Sequence, residues 1–341
     1  MKSGSSALDA ADKFPYGIAQ ASTNTVAEHS QLNLYALLWE DEEGRYAIGY
    51  MLDRVVEELL RVPVAVRGPV DLDRDSRSLI LFQLPTEVER SRLVAGLASY
   101  WRENDTFKLL RRWRDEIYPV YGRRKELLFS IERSAMGLFG TVQYGAHLTA
   151  YVDDSSAPHG IKMWVAKRSA NKQTFPGMLD NTVAGGLVTG EEPFDCITRE
   201  ADEEASLPVD LVQRSASCAG TVTYIYTSVD AHVGYEGLIY PECQWVYDLH
   251  LPADVIPRPK DGEAEQFFLC DVNQIKTDIA EGKYKPNCAL VVLDFFIRHG
   301  ILTEADEPDF DTLKRRLHRE LPFPGLHSGN CLPKGTASAR R

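Results

Sequence analysis

The stretch GGLVTGEEPFDCITREADEEASL, Gly185 to Leu207, decides how the chain is read. A helix over its second half relates Glu200, Glu203 and Glu204 by i+3 and i+4, so their carboxylates project from one face within about 5–6 Å of each other. Like charges at that spacing destabilise an isolated helix by a few tenths of a kcal/mol per pair. A divalent cation would neutralise them, and an all-oxygen donor set suits Mg²⁺ or Mn²⁺. The fork of Arg199 can fix a neighbouring glutamate in one rotamer. Gly185 and Gly186 let the backbone approach closely enough for a carbonyl to reach the metal, and Glu191 is placed to steady the loop–helix junction. Taken singly, an acidic pair on a helix is a solvated face. The ordered string is far more specific.

Bulk composition narrows the alternatives. The chain has 341 residues, 44% hydrophobic and 26% charged, the profile of a globular protein long enough for two domains. Its formal charge of −12 argues against a general affinity for nucleic-acid backbone. A small anionic substrate remains compatible, because a bound cation reverses the sign of one site. Six cysteines lack CxxC spacing, which reads as reduced thiols rather than a disulfide framework or zinc site. No apolar run approaches the ~18–20 residues of a membrane span. The leader MKSGSSALDAADKFP has neither the apolar centre of a signal peptide nor the acid-poor character of a transit peptide. The expected location is the cytoplasm rather than the mitochondrion, with no nucleic-acid or membrane partner; a homodimer is left open.

Periodicity divides the rest. LNLYALLWE and RYAIGYML read as strands, VVEELLRV is ambiguous, and SLILFQL has strand length. Thr86 with Glu89 forms a capping box opening a helix with Val88, Leu93, Val94, Leu97 and Trp101 on one side. A second helical pattern covers FKLLRRWRDEIYPVYG and stops at Pro119. These segments predict a small α+β domain over residues 1–135. Its basic cluster, Lys108, Arg111, Arg112, Arg114, Arg123, Arg124 and Lys125, reads as a solvated face rather than a phosphate site. From Tyr144 the texture changes: YGAHLTAYV and IKMWVAKRS alternate, a single helical segment follows, then TVTYIYTSV, GLIY, CQWVYDLHL and EQFFLCDV as strands. A final helix runs through PNCALVVLDFFIRHG with Gly300 as its C-cap. The predicted architecture over 136–303 is an α/β/α sandwich around a mixed sheet. The tail, 304–341, is expected to be a short helix followed by disorder.

The string from Gly185 to Leu207 resembles the Nudix box, a glycine, five residues, Glu, seven residues, then R-E-U-x-E-E-x-G-U with U aliphatic. Gly185, Glu191, Arg199, Glu200, Glu203, Glu204 and Leu207 fall in place. Ser206 stands where the pattern has Gly, and Ala201 is a small occupant of the first U. The resemblance implies a Nudix fold and a Mg²⁺- or Mn²⁺-dependent pyrophosphohydrolase. It implies that Gly185, Glu200, Glu203 and Glu204 hold the metal, that Glu200 or Glu204 deprotonates water, and that Arg199 orients the first glutamate. Many members add a later acid, for which Glu263 or Glu265 in KDGEAEQFFL could serve.

MWVAKRSANKQTFPGMLDNTVAGG, ERSAMGLFGTVQYGAHLTAYV, QWVYDLHLP and DGEAEQFFL further resemble the thiamin pyrophosphokinase-related subgroup of fungal and plant Nudix proteins, over about Leu32 to Gly300. That subgroup places a domain of uncharacterised role before the Nudix domain. It is implied to cleave thiamin diphosphate, and preferentially its oxo and oxy derivatives, to the monophosphates. From the residues themselves, Arg168 and Lys172 could bind terminal phosphate, Thr174 could donate a hydroxyl, and Asp180 and Asn181 could meet a heterocycle edge. Tyr247, Trp245, Tyr224 and Tyr226 offer stacking surfaces. Three rivals stand beside this reading: a hydrolase of a nucleoside diphosphate derivative such as ADP-ribose, an isoprenyl-diphosphate isomerase, and a non-catalytic Nudix-fold binding module. The isomerase needs a cysteine before the box, and none precedes Cys196. The intact glutamate set opposes the binding module.

Overall fold

The computed structural model describes residues 3–15, 31–228 and 236–328. Helix α1 (Ser3–Ala11) is followed by β1 (Leu34–Asp41), β2 (Gly44–Leu52), α2 (Asp53–Arg61), α3 (Val64–Arg67), β3 (Asp71–Asp73), β4 (Ser78–Ile80) and α4 (Glu87–Glu103). A hairpin of β5 (Ile117–Tyr121) and β6 (Leu127–Glu132) leads through α5 (Met136–Phe139) into the second half. There β7 (Gln143–Asp153), β8 (Ile161–Arg168), β9 (Leu179–Asp180) and β10 (Val183–Gly186) precede α6 (Pro193–Ala205) and α7 (Val209–Ser215). The chain continues with β11 (Ser217–Thr227), β12 (Ile239–His250), β13 (Ala264–Asp271), α8 (Val272–Ala280), α9 (Pro286–Arg298) and α10 (Phe310–Leu317).

The first sheet has the order β2-β1-β4-β3, with β1 and β4 parallel. The second has seven strands in the path β11-β12-β7-β8-β13, with β10 beside β7 and β9 beside β8; β12 and β7 run parallel and the other pairs antiparallel. Alternation along β7 and β12 sends Tyr144, Ala146, Leu148, Cys243, Trp245 and Tyr247 into one core, which continues into the first half. On the opposite face Val222, Tyr224 and Val246 pack with α8 and α9 in a second core. Helices on both faces of a mixed sheet give the expected α/β/α sandwich, beside a smaller α+β unit.

Several segments depart from the sequence reading. The second helical pattern is a 3₁₀ turn, Lys108–Arg112, and then strand β5, with Pro119 inside it. Asp115 at φ 58° breaks the helix before it can form. SLILFQL is strand only at Ser78–Ile80, because Phe82 takes φ 63°. GLIY and CQWVYDLHL join in one strand, and α7 and α8 are additional helices. VVEELLRV resolves as helix α2. The basic cluster is dispersed: Arg111 pairs with Asp105, Arg123 with Asp41 and Glu43, and Arg124 with Glu42. In the tail, α10 forms as expected and residues beyond it are packed, with Leu321 and Phe323 buried. The end expected to be disordered lies, from residue 329, outside the described residues.

Candidate active site

Helix α6 is set by its flanks. Pro193 at the first turn supplies a helical φ and needs no donor. At the far end Ser206 adopts the left-handed conformation (φ 53°, ψ 30°). Its N–H donates to the carbonyl of Asp202, the bond of an αL cap, and that of Leu207 reaches further back to Ala201. Ser206 therefore fills the role of the pattern's glycine, and its hydroxyl donates to the Arg258 carbonyl at 3.1 Å. Apolar residues Ile197, Ala201 and Ala205 face the core. That orientation turns Glu200 and Glu204 toward β10 and leaves Glu203 half-exposed beside Arg199.

Arg199 organises these acids. It donates to both carboxylate oxygens of Glu191, at 2.8 and 3.1 Å, and through Nη1 to Glu200 and Glu203, each at 2.9 Å. Hydrogen bonding to Glu191 and the charge of Glu200 hold the guanidinium firmly protonated against its partial burial. The Glu200 side chain lies directly over the Cα of Gly185, so a Cβ built there would fall inside it. Glu204 accepts the N–H of Ala184 at 3.1 Å. Burial, then the charges of Glu200 and Asp180, pushes its carboxyl well above the ordinary range. Burial likewise raises Glu200, partly offset by Arg199.

Of the two later acids, the fold brings Glu263 to the site and takes Glu265 away. Glu263 lies within hydrogen-bond reach of Glu204 and is paired with Lys172. Burial acts to raise it, but Lys172 and the hydrogen bond from Glu204 outweigh that and leave it lowered. Glu265 instead pairs with Lys167 at 3.0 Å on the exposed side. The register shift between Ala264 and Gln266 separates the two.

The residues expected to bind substrate are mostly occupied within the protein. Arg168 pairs with Asp180 at 2.6 Å and donates to the carbonyls of Thr174 and Phe175, so it braces the 169–178 loop. Lys172 is held by Glu263. Thr174 is exposed. Asp180 also accepts from the Cys288 thiol and the Asn181 N–H, and Asn181 meets His147 at 2.7 Å. Burial works against the Asp180 charge, yet Lys285 and Arg168 draw its pKa down to about 2. His147, Asp180 and Cys288 offer ligand atoms within 4.8 Å of one another; with Asp180 so engaged they form a hydrogen-bonded network. Tyr247 and Trp245 are core residues, 1% and 3% exposed, with no ring face open to a ligand.

The sequence reading missed a polar floor beside the metal-ligand candidates. Gln244 sits against Gly145, whose open Cα also faces the Gly185 carbonyl. Its amide donates to Glu242 at 2.8 Å, and Glu242 also accepts from the Tyr224 hydroxyl. Lys285, before α9, bears electrostatically on Glu242, His147 and Asp180. A glutamate and a glutamine two residues apart among the apolar residues of Ile239–Tyr247 were the available signal.

A family model described as NUDIX domain matches residues 148–290, and one described as a domain of unknown function (DUF4743) matches residues 25–143. An uncharacterized protein of Saccharomyces cerevisiae is 34% identical over 284 residues, 82% of this chain and 82% of that protein. Nudix hydrolase 20, chloroplastic, of Arabidopsis thaliana is 36% identical over 210 residues, 61% of this chain and 53% of the plant protein, so the chain spans about half the length of that relative. A Deinococcus radiodurans crystal structure aligns with 21% identity and a TM-score of 0.37, covering 52% of this chain and 97% of that one. No helix among the described residues is long and apolar enough to cross a membrane.

Proposed function

The chain belongs to the Nudix hydrolase family, pyrophosphohydrolases that use divalent metal ions, and from that premise we propose a substrate and a division of labour. The observation that carries the reading is a chain of contacts: Glu200 seated over Gly185, Glu204 on the Ala184 N–H and within reach of Glu263, and Glu203 tied to Glu200 through Arg199. Four hard carboxylates fit Mg²⁺ or Mn²⁺. Glu204 sharing a hydrogen bond with Glu263 is the behaviour of acids packed more densely than their own charge allows. When bound, the metal screens phosphate charge and lowers the pKa of its water.

The protein's own residues then have distinct tasks. Glu200 or Glu204 takes the proton from water, Arg199 holds Glu200 and Glu203 in place, and Gly185 leaves the space that Glu200 needs. Water oxygen adds to a phosphorus of the diphosphate, the anhydride P–O bond breaks, and the products are a monophosphate and inorganic phosphate.

For the substrate we propose thiamin diphosphate and its oxo and oxy derivatives. Support comes from the resemblance outside the box and from the polar floor. Glu242 and Gln244, bonded to each other and to Tyr224, would meet an aminopyrimidine by exchanging that internal bond for the ligand, in place of the stacking surfaces expected of Tyr247 and Trp245. The division into residues 1–135, 136–303 and 304–341 belongs to this reading, with helix α1 of the first segment packed on α8, α9 and α10 of the later ones, as does a cytoplasmic location, which the free thiols among the described residues support. The test is phosphate release with Mg²⁺ from thiamin diphosphate, its oxo and oxy analogues, ADP-ribose and nucleoside triphosphates. Turnover of the thiamin compounds is expected; turnover of ADP-ribose with none of them would overturn the substrate assignment.

A further inference from the structure

The β5–β6 hairpin belongs to the half of the chain outside the Nudix match, yet it touches the box loop at every turn. Thr189 donates its N–H to the Ile117 carbonyl at 2.8 Å and its hydroxyl to Ser130 at 3.0 Å. The Tyr118 hydroxyl lies on the Cα of Gly186, closer than any Cβ would permit. That hydroxyl is buried and has no hydrogen-bond partner among the described residues. Nearby, Arg112 donates to the Gln173 carbonyl at 3.2 Å, reaching the loop that Arg168 braces.

Arg133 follows directly on β6. Its guanidinium lies 5.3 Å from the Tyr118 ring centroid, and Nη1 donates to Glu116 at 2.6 Å. Its other guanidinium nitrogens have no partner among the described residues, and 39% of the side chain is exposed. The tyrosine ring thus carries the cation from the hairpin to the edge of the box loop. Its charge reaches both Glu263 of the metal-ligand set and Glu242 of the polar floor. Arg168 and Lys172, the cations expected to bind phosphate, are committed to Asp180 and Glu263. A diphosphate spanning metal site and floor needs another cation, and a planar fork with free donors is suited to it.

We propose that the N-terminal half completes the active site: its β5–β6 hairpin shapes the box loop through Tyr118 and presents Arg133 beside that loop as a phosphate-binding residue. The catalytic unit is then the pair of domains, and the Nudix half alone lacks a substrate contact.

The test uses the full chain and a probe without any organic group, methylenediphosphonate with Mg²⁺, so its outcome is independent of which substrate the enzyme takes. Binding is followed by calorimetry for wild type, Arg133→Gln, Arg133→Lys and Glu116→Gln. Loss of a charge-assisted contact predicts affinity about tenfold to a hundredfold weaker in Arg133→Gln, partly restored in Arg133→Lys. Glu116→Gln, which keeps the cation and removes its internal partner, should bind at least as tightly as wild type. In turnover, the Arg133→Gln loss should fall on KM more than on kcat. Thermal unfolding separates this from a structural role. Wild-type affinity in Arg133→Gln, or equal losses of affinity and stability in Arg133→Gln and Glu116→Gln, would overturn the proposal.

Discussion

Gly185 is the residue at which sequence and geometry meet most tightly. The sequence reading valued it for backbone approach; the structure gives a second reason, the Glu200 side chain seated over its Cα. Gly185→Ala must displace Glu200 from a position set by Arg199. Because misplacement by about 1 Å can cost a hundredfold in rate, kcat should fall about 100-fold while the fold persists, measured by phosphate release and circular dichroism. Glu204 makes a different prediction. Burial and the neighbouring charges raise its carboxyl in the folded chain, so without metal the folded state keeps a proton that the unfolded state has lost. Stability should therefore fall as pH rises above the ordinary carboxylate range, toward the raised pKa. Glu204→Gln removes the titrating group. In chelator, its melting temperature should decline less from acidic to neutral pH than that of wild type; parallel curves would contradict the assignment. The box acids were legible because helix spacing alone aligns them. Partners of Arg168 and Lys172 were not, because Asp180 and Glu263 reach them only through strand pairing and loop closure.

Elements with their own periodicity or caps were the readable ones. The Thr86 capping box opens α4 as expected, with Glu89 accepting the Thr86 N–H at 3.0 Å. Strands β7 and β8 form where their alternation placed them, although β7 is buried on both faces. The β5–β6 hairpin was not legible, since a run of Arg, Leu and Trp at helical spacing masked a strand containing Pro119. Ser206 shows how an element end tolerates a departure from pattern. A left-handed non-glycine residue costs about 1 kcal/mol or more, and a hydrogen bond such as that from its hydroxyl to Arg258 returns a comparable amount. Ser206→Ala keeps the strain and loses the bond, so it should lower stability by about 1 kcal/mol. Ser206→Gly loses both and should be nearly neutral. Urea denaturation that ranked glycine below alanine would refute this explanation.

Across the whole molecule, the two ends of the described chain are tied together. Arg319 donates to Asp12 at 2.7 Å and to the carbonyls of Phe14 and Pro15, with both charged side chains buried. Helix α1 accordingly packs against α8, α9 and α10 rather than on the first sheet. Nothing in the periodicity of either end signals that pairing, which closes over 300 residues of intervening sequence. Removing one member strands a buried charge, so Arg319→Met should cost about 3–5 kcal/mol in denaturant unfolding while leaving KM near wild type at low temperature. The sandwich holds α6 against β10 and delivers Glu263 from β13's edge, and the N-terminal hairpin covers the loop between. That arrangement brings the distant Glu263 to the three acids of helix α6, and Mn²⁺ binding tests the proposed centre most directly. Titration followed by the electron paramagnetic resonance of free Mn²⁺ should show binding to the wild-type chain and its loss in the Glu203→Gln, Glu204→Gln double variant; equal binding by both would contradict the metal site on which the hydrolytic chemistry rests.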